Sequence, residues 1–272
     1  MPILNKDMTL CISLSARPSN LGTRFHNFLY DELGLNFIYK AFAPHDLADA
    51  IAGVRGLGIR GCAVSMPYKE SVIAMLDGLD PSALAIASVN TIVNDAGVLT
   101  GFNTDYTAVR RLLSEHDVPP ELSVIVRGSG GMAKAVAAAL HDSGFTRGTI
   151  VARNGVTGRR LAALYGFDWV SQVGDLTADL LVNVTPRGMA GSPDATRLAF
   201  RPEVIRAARV VFDVVASPAE TPLIEAARAL GTPVITGAEV VALQAEEQFV
   251  LYTGIRPTPD QVARASAFSR ES

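Results

Sequence analysis

Short runs of apolar and β-branched residues alternate with longer amphipathic segments along most of this 272-residue chain. The first series runs through TLCISLS, TRFHNFLYDELG, LNFIYKAF, HDLADAIAGVRGLG and IRGCAVSM. A second series begins at SVIVR, just after the Pro119-Pro120 pair. Strands that alternate with helices favour parallel βαβ units, so the sequence predicts an α/β fold.

A proline break and a change of pattern along the sequence predict two domains separated by a cleft. Pro119-Pro120 is the first strong break, and a long helical pattern begins near Ala238. We therefore expect one domain from residues 1–104 and 238–272, and a second, Rossmann-type domain from residues 105–237. In the first domain, VNTIVN and VLTGFN flank a short DAG turn and predict a hairpin. Pro67 follows the CAVSM strand and suits the first turn of a helix.

The composition is that of a globular protein whose partners are small molecules. Hydrophobic residues make up 49% of the chain, charged residues 19%, and the formal net charge is −3. Basic residues are dispersed, so we expect neither a nucleic acid nor a membrane surface as partner. Cys11 and Cys62 lie in apolar runs, which favours reduced thiols in a cytoplasmic protein over a disulfide or a metal site.

The segment SVIVRGSGGMAKAVAAAL reads as a strand, a glycine turn and a helix rich in small residues. Gly128, Gly130 and Gly131 permit positive φ and close backbone approach, and the free N–H groups of the helix favour a pyrophosphate. The spacing departs from G-x-G-x-x-G, because Ala133 stands where the third glycine is expected. Glycine clusters often only make turns, but the position between strand and helix favours a dinucleotide loop.

The next strand distinguishes NAD from NADP. NAD enzymes place an acid at its end to bind the ribose hydroxyls, and such an acid would repel a 2′-phosphate. No acid occurs between Asp142 and Asp168, whereas Arg153 stands at the strand end and Arg159 and Arg160 follow. A solvated basic turn is the alternative, but the missing acid and the arginines together favour NADP.

Two charged residues follow strands in the first domain. Lys69 follows AVSMPY, and Asp105 follows GFNT. The carboxyl ends of parallel strands line ligand clefts, and a lysine paired with a carboxylate can exchange a proton with a reacting oxygen. Each residue taken alone would more often be a solvated surface charge. His26 lies on an amphipathic helix, and the histidines show no metal-binding spacing.

The ordered segments AVSMPYK, SVNT, GFNTD, GSGGMA, ARN, NVTPRG, DVVASPAETP and TGAEVVALQAEEQF resemble the shikimate dehydrogenase family from end to end, and specifically its divergent shikimate dehydrogenase-like branch. The resemblance implies a substrate domain, an inserted NADP domain and a small hydroxy acid as substrate, in aromatic amino acid biosynthesis. It implies catalysis by Lys69 and Asp105, and no metal. The substrate-binding residues that it implies are Asn20, Gly22, Ser65, Asn90 and Gln244. The implied cofactor-binding residues are Gly128, Ser129, Gly130, Gly131, Met132, Ala133, Arg153, Asn154, Arg159, Thr185, Gly188, Met189 and Gly237.

Several positions depart from the family pattern. Asn20 and Gly22 stand where the family has a serine pair that holds the substrate carboxylate, Ala63 replaces an asparagine and Ala216 a tyrosine. Losing polar partners changes discrimination or rate. The sequence thus leaves open another substrate, such as quinate or aminoshikimate, and a non-catalytic NADP-binding sensor, although retention of both catalytic residues argues against the sensor. We expect a monomer or a homodimer.

Overall fold

The computed structural model describes residues 4–271, which divide into two compact units. Unit 1 contains the chain up to Thr104 and again from Ala242 onward, and unit 2 contains Asp105–Val241. The sequence places the return to unit 1 slightly earlier, at residue 238. A helix runs from Gly237 to Thr253, so the chain leaves unit 2 inside a helix, where no turn residue marks the boundary.

Ten α-helices and one 3₁₀ helix, Ser71–Met75, occur within residues 4–271. No helix in that range is long and apolar enough to cross a membrane. The α-helices are α1 (Leu21–Glu32), α2 (Leu47–Gly56), α3 (Pro81–Leu84), α4 (Thr104–Glu115), α5 (Gly131–Asp142), α6 (Gly155–Tyr165), α7 (Pro202–Ala207), α8 (Pro222–Ala229), α9 (Gly237–Thr253) and α10 (Pro259–Arg270).

Unit 1 is built on a mixed sheet with the strand order β2-β1-β3-β5-β6-β4. Its strands are β1 (Thr9–Leu14), β2 (Phe37–Phe42), β3 (Gly61–Val64), β4 (Gly78–Leu79), β5 (Thr91–Asp95) and β6 (Val98–Phe102). Strand β1 pairs in parallel with β2 and β3, as the alternating pattern predicts. The predicted hairpin is confirmed, since β5 and β6 pair antiparallel around Ala96 and Gly97, both at positive φ.

The predicted helix at Pro67 is wrong. Residues 66–70 form a turn, and the 3₁₀ helix begins only at Ser71. The backbone carbonyl of Lys69 accepts a hydrogen bond from the Val89 N–H at 2.8 Å, so it does not enter a helical ladder. A tertiary contact therefore decides this segment, and the sequence around Pro67 gives no sign of it.

Unit 2 is a sheet of six parallel strands in the order β12-β11-β10-β7-β8-β9. The strands are β7 (Val124–Arg127), β8 (Gly148–Val151), β9 (Asp168–Val170), β10 (Leu180–Asn183), β11 (Val210–Asp213) and β12 (Val234–Thr236). The chain starts in the middle, moves to one edge, returns and moves to the other, which is the Rossmann order. The predicted fold class is thereby confirmed.

The core of unit 1 contains a histidine within an aromatic cluster. His26 on α1 is 0% exposed and stacks on Tyr39 with 4.5 Å between ring centroids. Phe25 meets the imidazole edge to face at 5.5 Å. Burial lowers the pKa of His26 to about 3, and the nearby Gln248 side chain offsets only part of that shift. His26 is therefore a neutral packing residue, as its place on an amphipathic helix predicts.

Candidate active site

The glycine turn of unit 2 connects β7 to α5 and needs glycine at its first position. Gly128 has φ +130°, and a Cβ there would lie 2.7 Å from Val184 Cγ2 and 3.0 Å from the Val184 carbonyl oxygen. Gly130 and Gly131, at the start of α5, have open space around them. Their backbone therefore remains accessible at a helix N-terminus, where unpaired N–H groups favour an anion.

A pocket of about 1400 Å³ opens at this turn, within unit 2. Its walls come from the residues that follow β7, β8, β9 and β10, together with the segment before α7. Asn154 also caps α6, since its side chain accepts hydrogen bonds from the N–H groups of Val156 and Thr157. The sequence-predicted cofactor residues that line the pocket are Gly128, Ser129, Gly130, Gly131, Met132, Arg153, Asn154 and Thr185.

Four arginines line the same pocket: Arg127, Arg153, Arg187 and Arg201. Sequence reasoning identified Arg153 and missed the other three. Arg127 is the last residue of the strand VIVR and directly precedes the glycine turn. This position in the sequence was the signal that could have placed Arg127 in the pocket lining. Burial, then the charges of Arg187 and Arg153, lower the pKa of Arg127 to about 10. The glycine cradle and the basic wall suit the phosphates of NADP.

The remaining predicted cofactor residues do not line this pocket. Ala133 is buried inside α5, where its small side chain allows close packing. Arg159 lies over the Trp169 ring at 4.4 Å, so its guanidinium stacks on a packing residue. A Cβ on Gly188 would approach Thr221 to 3.2 Å, and one on Gly237 would lie 2.3 Å from the Val215 carbonyl carbon. Met189 is 41% exposed.

A buried polar network holds the turn after β10 that contributes Thr185 and Arg187 to the pocket. Asn183 Nδ2 donates to Asp213 Oδ1 at 2.9 Å and to the Arg187 carbonyl at 3.2 Å, while its Oδ1 accepts from the Thr185 hydroxyl at 2.6 Å. Thr221 donates to Asp213 Oδ2 at 2.7 Å. Burial raises the pKa of Asp213 to about 6, and these donors oppose that rise. Through Asn183, Asp213 thus stabilises the turn that follows β10.

The substrate-binding predictions in unit 1 meet at the start of α4. Asn90 is 3% exposed, and its Oδ1 accepts from the Thr104 N–H at 2.8 Å, while its Nδ2 donates to Thr104 Oγ1 at 3.0 Å. Thr104 Oγ1 lies 3.5 Å from Gln244 Oε1 on α9. Gln248, one turn further, donates to Thr91 Oγ1 at 3.0 Å. Sequence reasoning missed Gln248, although it shares a helix face with Gln244.

The other unit 1 predictions lie on turns and helix ends. Ser65 is exposed directly after β3, and Lys69 is half-buried in the turn that follows. Asn20 is exposed at the N-cap position of α1, and a Cβ on Gly22 would lie 3.5 Å from the Tyr39 hydroxyl. Asp105 occupies the first turn of α4 and is the first residue of unit 2. Between residues 4 and 271, no group of three His, Cys, Asp or Glu side chains could hold a metal ion.

Comparison with known proteins identifies the family of this chain. Residues 18–92 match the model of the shikimate dehydrogenase substrate binding domain. A shikimate dehydrogenase-like protein of Haemophilus influenzae is 56% identical over 268 residues, covering 98% of this chain and 99% of the relative. The solved structure of a shikimate 5-dehydrogenase-like protein, also 56% identical, superposes with a TM-score of 0.97 over 99% of this chain and 100% of that one.

A more distant structure was solved with ligands. The shikimate 5-dehydrogenase of Thermus thermophilus, in complex with NADP(H) and shikimate, is 30% identical and has a TM-score of 0.86, covering 96% of this chain and 100% of that one. The similarity extends over both units and confirms the predicted family, the α/β fold and, at the level of the family, the expected activity and cofactor. This chain belongs to the shikimate dehydrogenase family of NADP-dependent oxidoreductases.

Proposed function

We propose that this protein transfers hydride between NADP and a secondary alcohol of a small polyhydroxy carboxylic acid of the shikimate type. The observation that carries the proposal is the basic pocket at the glycine turn, in a chain whose Thermus relative was solved with NADP(H) and shikimate. In this proposal unit 2 is the NADP domain and unit 1 the substrate domain.

When bound, NADP accepts hydride from the alcohol carbon or, as NADPH, returns it to the ketone carbon. The oxygen must lose or gain a proton in the same reaction. We assign this proton to Lys69, which takes it from the hydroxyl during oxidation and donates it to the carbonyl oxygen during reduction. Asp105 is assigned as the carboxylate that orients Lys69 and accepts a hydrogen bond from a substrate hydroxyl. No metal is required in this scheme.

The substrate hydroxyls are assigned to Ser65, Asn90 and Gln244. The amide oxygen and the amide nitrogen of Asn90 both hydrogen-bond to Thr104, so the main contribution of Asn90 is to hold the start of α4 in place. The substrate carboxylate is assigned to the Asn20–Gly22 segment, where the exposed amide of Asn20 can donate hydrogen bonds and Gly22 has no side chain to do so. Quinate, which is related to shikimate but has a different set of hydroxyls, should be tested as a substrate beside shikimate.

We expect the enzyme to prefer NADP over NAD by at least about tenfold in Kd, because one charge-assisted phosphate contact contributes about 1.5–3 kcal/mol. Replacing Arg153 by Ala should weaken NADP binding and leave NAD binding almost unchanged. Titration of each cofactor, by calorimetry or fluorescence, measures both constants. Arg206→Ala, at an exposed position on α7 outside the pocket lining, is the control and should leave both constants unchanged. Equal losses for both cofactors in Arg153→Ala would remove the 2′-phosphate assignment.

We expect shikimate to be oxidised with a kcat/KM roughly ten- to hundredfold below that of family members with the serine pair, since one lost hydrogen bond to a charged group costs about 1.5–3 kcal/mol. The double variant Asn20→Ser with Gly22→Ser restores both hydroxyls. The Cβ at residue 22 fits, because its nearest neighbour would lie at an ordinary 3.5 Å. Steady-state kinetics should show a lower KM for shikimate in this variant; an unchanged KM would place the carboxylate elsewhere.

We also propose that the protein works in the cytoplasm, as a monomer or a homodimer. The support for the compartment is that Cys11 and Cys62 are both buried free thiols. Burial raises the pKa of Cys11 to about 11, so this thiol stays protonated and unreactive at neutral pH. Sedimentation at several protein concentrations decides the oligomeric state.

A further inference from the structure

Three of the four arginines in the unit 2 pocket lie at or just beyond the ends of three neighbouring strands. In the sheet, Arg127 on β7 is level with Val151 on β8 and with Asn183 on β10. Arg153 lies two residues beyond Val151, and Arg187 lies four residues beyond Asn183. Because the carboxyl ends of parallel strands meet at one edge of a sheet, the three guanidinium groups converge on the pocket that they line.

Arg127 and Arg187 are both held by the segment before α7. The Arg127 guanidinium lies 5.9 Å from the centroid of the Phe200 ring, which is itself buried. Arg187 Nη1 donates to the Leu198 carbonyl oxygen at 3.2 Å. These contacts fix the two side chains without cancelling their charge, since a ring face and a carbonyl carry no net charge.

Within residues 4–271, Arg127, Arg153 and Arg187 form no ion pair with a carboxylate. Asp194, the acid in the pocket wall, pairs with Arg197 at 3.3 Å and only weakly offsets the repulsion on Arg127. Arg201 is different, because it pairs with Asp175 at 2.8 Å. Three guanidinium groups in one pocket that form no ion pair repel one another, and a multiply charged anion bound among them offsets that repulsion.

We infer that Arg127 and Arg187 act together with Arg153 to bind the 2′-phosphate of NADP, and so determine the preference for NADP over NAD. The inference rests on the proposed binding of NADP. In this arrangement the backbone N–H groups at the start of α5 bind the pyrophosphate. The adenosine ribose then lies toward the end of β8. The 2′-phosphate is then the doubly charged group that remains to be neutralised on the basic wall.

The test uses Arg127→Met and Arg187→Ala, with Arg206→Ala, at an exposed position on α7 outside the pocket lining, as the control. Methionine is an unbranched apolar side chain that can lie against the Phe200 ring without a charge, and thermal melts verify folding. The probes are NADP and NAD, and also adenosine 2′,5′-bisphosphate and adenosine 5′-monophosphate, which differ only in the 2′-phosphate. We expect each of the two variants to weaken NADP and the bisphosphate by at least about tenfold. NAD and the monophosphate should change by less than about twofold, and Arg206→Ala should behave as wild type.

Two results would overturn the inference. Equal weakening of NADP and NAD would show that these arginines bind the pyrophosphate that both cofactors share, and unchanged affinity for all four probes would show that they bind neither group. The failure of the proposed function is distinguishable, because the wild-type protein would then show no preference for NADP at all. If the wild type prefers NADP and Arg153→Ala removes that preference while Arg127→Met and Arg187→Ala do not, only the inference fails.

Discussion

Replacing Lys69 by Ala is expected to lower kcat by at least about a hundredfold while the affinity for NADP stays nearly constant. Hydride transfer to a ketone leaves an alkoxide unless a proton arrives, and a positioned acid contributes about 10² to 10⁴ in rate. An interaction made mainly in the transition state reduces kcat and kcat/KM together. Steady-state kinetics on the best substrate, with NADP binding measured separately, gives both quantities.

The control for this variant is Lys6→Ala, which removes a lysine whose side chain is 89% exposed. Asp105→Asn should also be severely impaired, with a larger rise in KM because Asp105 is assigned to a substrate hydroxyl as well. A near-normal kcat in Lys69→Ala would mean that water or another group supplies the proton. The catalytic assignment would then fail while the family and the fold stand.

The second large effect is on stability at acidic pH and comes from His26. The folded-state pKa of His26 lies near 3 and the ordinary value is 6.5, so the unfolded chain binds the proton more tightly. Well above pH 6.5 the imidazole is neutral in both the folded and the unfolded chain, so it adds no pH dependence to stability. Below that value the free energy of unfolding falls as pH falls, by up to about 1.4 kcal/mol per pH unit, until the folded state also takes up the proton near pH 3.

Replacing His26 by Phe keeps a ring in the stack on Tyr39 and removes the titrating group. The difference in unfolding free energy between this variant and wild type should therefore grow by about 1.6 kcal/mol between pH 6.5 and 5, measured by urea unfolding at each pH. His45→Phe, the same change at an exposed histidine, should leave the pH profile as it is in wild type. Parallel profiles for wild type and His26→Phe would show that the imidazole is not buried in its neutral form.

Local sequence patterns were sufficient to predict secondary structure wherever the intrinsic preferences of a segment agree with its conformation in the fold. The hairpin at Ala96-Gly97, strand β7 and the α5 helix after the glycine turn each follow from residue types and spacing. Helix α6 begins at Gly155, because the Asn154 side chain supplies the cap that begins the helix. The sequence contained that signal, since asparagine is a preferred N-cap residue.

Other features depend on partners that are distant along the chain. The turn around Lys69 is set by Val89, and Gln248 reaches Thr91 across more than 150 residues of chain. Arg159 looks like a phosphate ligand in the sequence but lies over Trp169. Arg127 looks like the last residue of a strand, yet its side chain faces the pocket because the neighbouring strands end at the same edge.

The sequence by itself determined the family, the alternation of strands and helices, the glycine turn and the absence of an acid after β8. These are local or ordered properties, which residue types and spacing express directly. The tertiary structure decided which side chains share a space: the three arginines of the pocket, the Asp213 network beneath the turn after β10, and the buried imidazole of His26. Charge repulsion, burial and hydrogen bonding between distant residues act only once the strands are side by side, so no pattern along the chain records them.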